Sequence, residues 1–97
     1  ERLARLAHAL FRHYERVPAL ESVRRDRHLT PELAAFAREE ARNRRQLARE
    51  AAGAGADAEL VAALVDIDVY RSLRREGFKT AEAADRVAAL LELNIRK

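Results

Sequence analysis

Two aspartates, Asp66 and Asp68, interrupt the segment LVAALVDIDVY at residues 60–70, which otherwise has almost no coherent polar face. A carboxylate held inside an apolar helix needs a cationic or hydrogen-bonding partner, or its pKa must shift, so such a group is a candidate for an ion pair or for ligand contact. On a helical wheel Asp68 falls among Val61, Leu64, Val65 and Arg75, with Arg71 three residues on. An arginine bridge, local or interhelical, therefore competes with a ligand-contacting role for it. Asp66 lies closer to Tyr70 and Ala62.

His13 shares a face with Leu6, Leu10 and Val17 and is expected to point inward, as a hydrogen-bonded core histidine or as a ligand contact. Phe11, Tyr14 and Phe36 recur at helical spacing and read in the same two ways. Together with Glu40 and Arg44 they could line a cavity between the first helix, the helix over residues 30–52 and the one over 57–76, where helical bundles place their ligand sites. Phe11, His13, Tyr14, Phe36, Glu40, Arg44 and Asp68 are thus the candidate ligand-contacting residues. Other chemistry finds little footing. His8 and His13 are five apart and diverge on a helix, His28 falls in a turn, and no Glu-x-x-His occurs, so neither a metal nor a cofactor is expected. The chain has no phosphate-binding glycine loop, and its serines are only Ser22 and Ser72. An acid–base pair of Asp68 and His13 would lack any convergent constellation, so an enzyme is not expected.

The elements that must position these groups are helical. Alanine, arginine, leucine and glutamate dominate the 97 residues, and glycine and proline are sparse. Leu3, Leu6, Ala7, Leu10, Tyr14 and Val17 form one stripe on a first helix, which Pro18 should break. A short helix over residues 19–27 follows. Thr30-Pro31-Glu32 is the clearest helix start, with a hydroxyl at the cap, proline in the first turn and an acid beside the helix dipole. That helix should run to about Ala52, with Glu40 and Arg44 as an i,i+4 pair. Gly53-Ala54-Gly55 divides the chain into two halves. Asp57 is the expected cap of a third long helix ending before Gly77, and Thr80 that of a final helix reaching about Ile95. The expectation is an all-α bundle of about four to five helices in a single domain, 1–97. Because a helix apolar all round must be covered on several sides, residues 60–70 are expected to need a second chain.

Twelve arginines stand against 8 acids in residues 1–50, a surplus of +4, whereas residues 51–97 carry a balance of −1. Interleaved in this way, the charges read as a solvated helical surface, with an acidic protein partner as the alternative use. No cysteine is present, which fits a reducing compartment such as the cytoplasm. No apolar run reaches the roughly 20 residues that a membrane-spanning helix needs.

The segment DIDVYRSLRREGFKTAEAADRVAALLE at residues 66–92 resembles the end of a TetR-type transcriptional regulator. In that family a buried penultimate helix carries a hydrophobic-aromatic segment, here Val69-Tyr70-Arg71-Ser72-Leu73, followed by glycine, a short cap at Lys79-Thr80 and an alanine-rich last helix. LAHALFRHYERVPALESVRRDR at residues 6–27 resembles the region that follows the DNA-binding domain. The resemblance implies that residues 1–52 form the ligand-binding part and that residues 57–97 carry two long helices which pair with a second copy as a four-helix dimer interface. Its seam would hold Leu60, Leu64, Ile67, Ala84, Val87, Ala88, Leu91 and Ile95. It further implies a small, largely apolar ligand that alters operator affinity. The family's helix-turn-helix reader is not found in this chain, and the uncapped start at Glu1 is expected to lie inside a longer element. DNA would be contacted only through that missing domain.

Overall fold

Pro18 ends the first helix as its chemistry requires. In a computed structural model, which describes residues 2–54 and 56–93, α1 (Arg2–Arg16) closes with the Val17 N–H donating to the His13 carbonyl, and Pro18 with φ −60° leads into α2 (Ala19–Arg25). Thr30 is extended, its Oγ1 accepts the Leu33 N–H at 3.1 Å, and Pro31 opens α3 (Pro31–Ala52). The chain leaves α3 at Gly53, whose φ of +57° is open to glycine at little cost.

The single helix expected over residues 57–76 is two helices. Asp57 caps α4 (Ala58–Leu64) by accepting the Glu59 and Leu60 N–H groups at 3.0 and 3.3 Å. The chain then turns a corner at Val65–Asp66, and Asp66, with ψ 153°, caps α5 (Ile67–Arg75) by accepting the Ile67 N–H at 2.7 Å. The aspartate that looked like an interruption of a helix is the start of one. At the far end the Phe78 N–H reaches the Leu73 carbonyl and the Gly77 N–H the Arg74 carbonyl, with Gly77 at φ +100°. These are the two bonds of a Schellman stop. The cap of α6 (Thr80–Glu92) is Lys79 rather than Thr80: the Lys79 N–H donates to Glu82 Oε1 at 2.8 Å, and Thr80 is the first, buried residue of the helix.

The described residues form an all-α fold of six helices rather than four to five, and contain no strand. They form a slab whose Cα extents are 44 × 30 × 16 Å. Helix α6 lies against α1, with Ala83, Ala84, Val87 and Leu91 facing Leu3, Ala7 and Phe11 in the core. Alanine at these points lets the two backbones approach closely, so a thin slab still closes a dry seam. At its centre Phe11, Tyr14 and Tyr70 form a three-ring cluster, with Phe11 edge-on to Tyr70 at 5.2 Å between centroids.

Much of the apolar 60–70 segment is buried within the one chain. Val61 and Val65 are fully buried and Ala62 and Ile67 nearly so, because the corner at residue 65 lets α4 rest on α3 and α6 while α5 meets α1 and α6. Of the positions assigned to a dimer seam, Ile67, Ala84, Val87, Ala88 and Leu91 lie inside this core. Leu64 is half-buried, Leu60 is exposed, and Ile95 lies outside the described residues. Leu90 of α6 and Leu93, the residue that caps its C-terminal end, are exposed.

Candidate functional site

Helices α1, α2 and α3 leave a groove of about 340 Å³ between them. Pro18 separates α1 from α2, and Leu20 of α2 lines the gap. The apolar wall is Leu10 and Tyr14 from α1, Leu20 from α2, and Phe36 and Leu47 from α3. Phe36 is 53% exposed and Leu47 42%, a poor arrangement for a core and a good one for a surface that receives an apolar guest. The polar rim is His13, Glu39, Glu40, Asn43 and Arg44.

Beneath the groove lies a charge cluster drawn from three parts of the chain. Arg44 is 8% exposed, and its Nη1 donates to both Glu40 oxygens at 2.9 and 2.8 Å and lies 3.3 Å from Asp66. Arg24 from α2 makes a fork to the same Asp66, at 2.7 and 2.9 Å. Burial by itself pushes the Asp66 carboxyl up, but the Arg24 hydrogen bond, the Arg44 charge and the Ile67 N–H outweigh it and hold the group below the usual carboxylate range. The fork to Asp66 likewise raises Arg24. The Arg44 Nε is buried with no hydrogen-bond partner. Next to the cluster the Tyr14 hydroxyl donates to the Val65 carbonyl at 2.7 Å, and burial, reinforced by the nearby Glu40 charge, raises its pKa well above that of a free phenol. Tyr14 and Asp66 thereby fix both sides of the α4–α5 corner from the floor of the groove.

The structure brings His13, Tyr14, Phe36, Glu40 and Arg44 to one place. Their boundary differs from the expected one, since α2 closes the groove where the 57–76 helix was assigned. Phe11 stands apart, fully buried in the ring cluster, and Asp68 is exposed, with Arg24 at 4.0 Å. Asp66, not Asp68, is the inward carboxylate, and Arg71 pairs with Glu21 of α2 at 2.8 Å instead of with Asp68. His13 is exposed at the rim rather than directed into the core. It sits at the edge of the buried stripe of α1, which centres on Leu3, Ala7, Phe11 and Tyr14. Leu10 belongs to the apolar stripe expected on the first helix, yet it lines the groove together with Leu47. Nothing local marks Leu20 or Arg24, because what places them is the break at Pro18 and a partner 42 residues away.

Among the described residues no three His, Cys, Asp or Glu side chains gather where they could hold a metal ion, and no helix is long and apolar enough to cross a membrane. The arrangement offers an apolar surface, a few rim hydrogen bonds and a rigid charged floor. Comparison with known protein families, with characterised proteins and with solved structures found no match to this chain.

Proposed function

We propose that the α1–α2–α3 groove takes up a small, largely apolar molecule, and that the chain is the effector-binding domain of a transcriptional regulator of the TetR type. The observation that carries the binding role is the groove itself, walled by two half-exposed large side chains of α3, Phe36 and Leu47, over a floor of paired charges. The bound molecule would bury the apolar area that those side chains leave in water.

Transmission follows from the floor. Tyr14 and Arg44 line the groove and also hold Val65 and Asp66, so a guest that moves either side chain bears on the α4–α5 corner and on α6 behind it. A guest shifts such a balance only by its differential affinity for two arrangements, typically about 1–3 kcal/mol. Self-association in this reading uses the outward leucines Leu60, Leu90 and Leu93, because Ala84, Val87, Ala88 and Leu91 are committed to the chain's own core. DNA would be reached only through a reader domain beyond these residues.

A titration with N-phenyl-1-naphthylamine, a neutral apolar fluorophore, tests the site while light scattering follows the mass. The expected result is saturable fluorescence enhancement, weakened about tenfold in a Phe36→Ala, His13→Ala double variant, with a mass near twice 11.0 kDa. Equal affinity of wild type and variant would remove the groove as the binding site. A monomer at all concentrations would leave the groove as a binding pocket and remove the dimeric regulator.

A further inference from the structure

A second cleft, of about 440 Å³, opens where the C-terminal end of α2 and the turn after it face the first half of α3. Its floor is the methyl groups of Ala34, Ala37 and Ala41, and every polar side chain on its border is basic: Arg24, Arg27, His28 and Arg38. Arg25 pairs with Asp26, Arg42 with Glu39, Arg44 with Glu40 and Arg71 with Glu21. Asp26 is taken by Arg25, Glu39 by Arg42 and Asp66 by Arg24 and Arg44, and among the described residues neither Arg27 nor Arg38 has a carboxylate partner.

Two of the cationic groups are also held in place. The Arg24 fork is fixed on Asp66, and Arg27 Nη1 donates to the Arg24 carbonyl, which leaves the other Arg27 N–H groups for a guest. A guanidinium fixed beforehand loses less freedom on binding, and its fork matches the oxygens of a phosphate. The size of the cleft is that of a small-molecule site.

We propose that this cleft binds a small soluble phosphate ester or pyrophosphate, with Arg27 and Arg38 as the principal contacts and the alanine floor receiving the uncharged part of the molecule. The site is independent of the apolar groove: it shares none of the groove's exposed apolar walls, and its chemistry is opposite.

Inorganic pyrophosphate is the first probe, titrated by calorimetry and by backbone amide NMR at constant ionic strength. The expected result is a saturable isotherm with amide shifts concentrated in residues 24–28 and 34–41. An Arg27→Gln, Arg38→Gln variant should bind at least about tenfold more weakly. An Arg45→Gln, Arg49→Gln variant removes the same charge from the surface and should bind as wild type does. All four side chains are exposed, so circular dichroism should find both variants folded. Equal weakening in the two variants, or shifts spread over all the arginines, would mean that the chain attracts anions only through its net charge, and would overturn the site.

Discussion

The α1–α6 seam and the junction of α2, α3 and the α4–α5 corner are built from the same few residue types to opposite ends. Along the seam Ala7, Ala83, Ala84, Val87 and Leu91 are at most 1% exposed, with no charged side chain among them. At the junction Arg44 is buried, Asp66 is mostly buried, and a phenylalanine and a leucine are left at the surface above them. A seam of small apolar groups needs no long-range partner to be satisfied. A buried charge does, so the junction keeps its shape only while Arg24, Arg44, Glu40 and Asp66 hold one another. The first region supplies stability; the second has specificity built into it at a cost in stability.

Opening the seam should have the largest effect. Phe11→Ala would leave a cavity against Tyr14 and Tyr70 and is expected to cost about 3–5 kcal/mol in urea denaturation. A loss below about 1 kcal/mol would mean that the ring cluster is loose, and the contrast between the regions would lapse.

At the junction Asp66→Asn keeps a capping side chain but removes the anion from two arginines, with an expected cost of about 2–3 kcal/mol at neutral pH. The pH dependence has a definite sign. The Asp66 pKa is depressed in the folded state, so its contribution is complete above the ordinary value of 3.8 and is lost as the pH falls through the folded value. The stability gap between wild type and Asp66→Asn should therefore be constant from about pH 7 to 5 and close below about pH 4. A gap that did not change with pH would show that the carboxylate charge is not what holds the corner.

The groove wall should respond least. Phe36→Ala, which should impair binding of the apolar fluorophore, is expected to change the unfolding free energy by less than about 0.5 kcal/mol, because the ring is already half in water. A cost of several kcal/mol would reassign Phe36 to the core.

Much of this was legible in the sequence where the deciding interactions are local. Pro18, the Thr30-Pro31-Glu32 start and the Gly77 stop act within a turn of their own position, and the structure places the helix ends there. The corner at Asp66 was missed for the converse reason. Asp66-Ile67-Asp68 is as good a cap with an acidic first turn as Asp57 is, but no glycine or proline announces a break, and the apolar run continues across it. What makes the break is the pair of arginines at 24 and 44 that draws Asp66 out of the helix, and no periodicity encodes that. His13 shows the limit of wheel arithmetic in another way, since a residue at the margin of a stripe is assigned to a face only by what packs beside it.

The corner is also where two distant stretches of the chain are tied to it: Arg24 meets Asp66 across 42 residues, and Tyr14 meets Val65 across 51. Both ties enclose the surface turn at residues 26–30. The entropy of closing a loop grows only with the logarithm of its length, about 0.6 kcal/mol for each doubling. A few residues inserted in that turn would lengthen either loop by a small fraction, so the domain can accept new length there, beside the basic cleft, without loosening the knot that holds its two halves together.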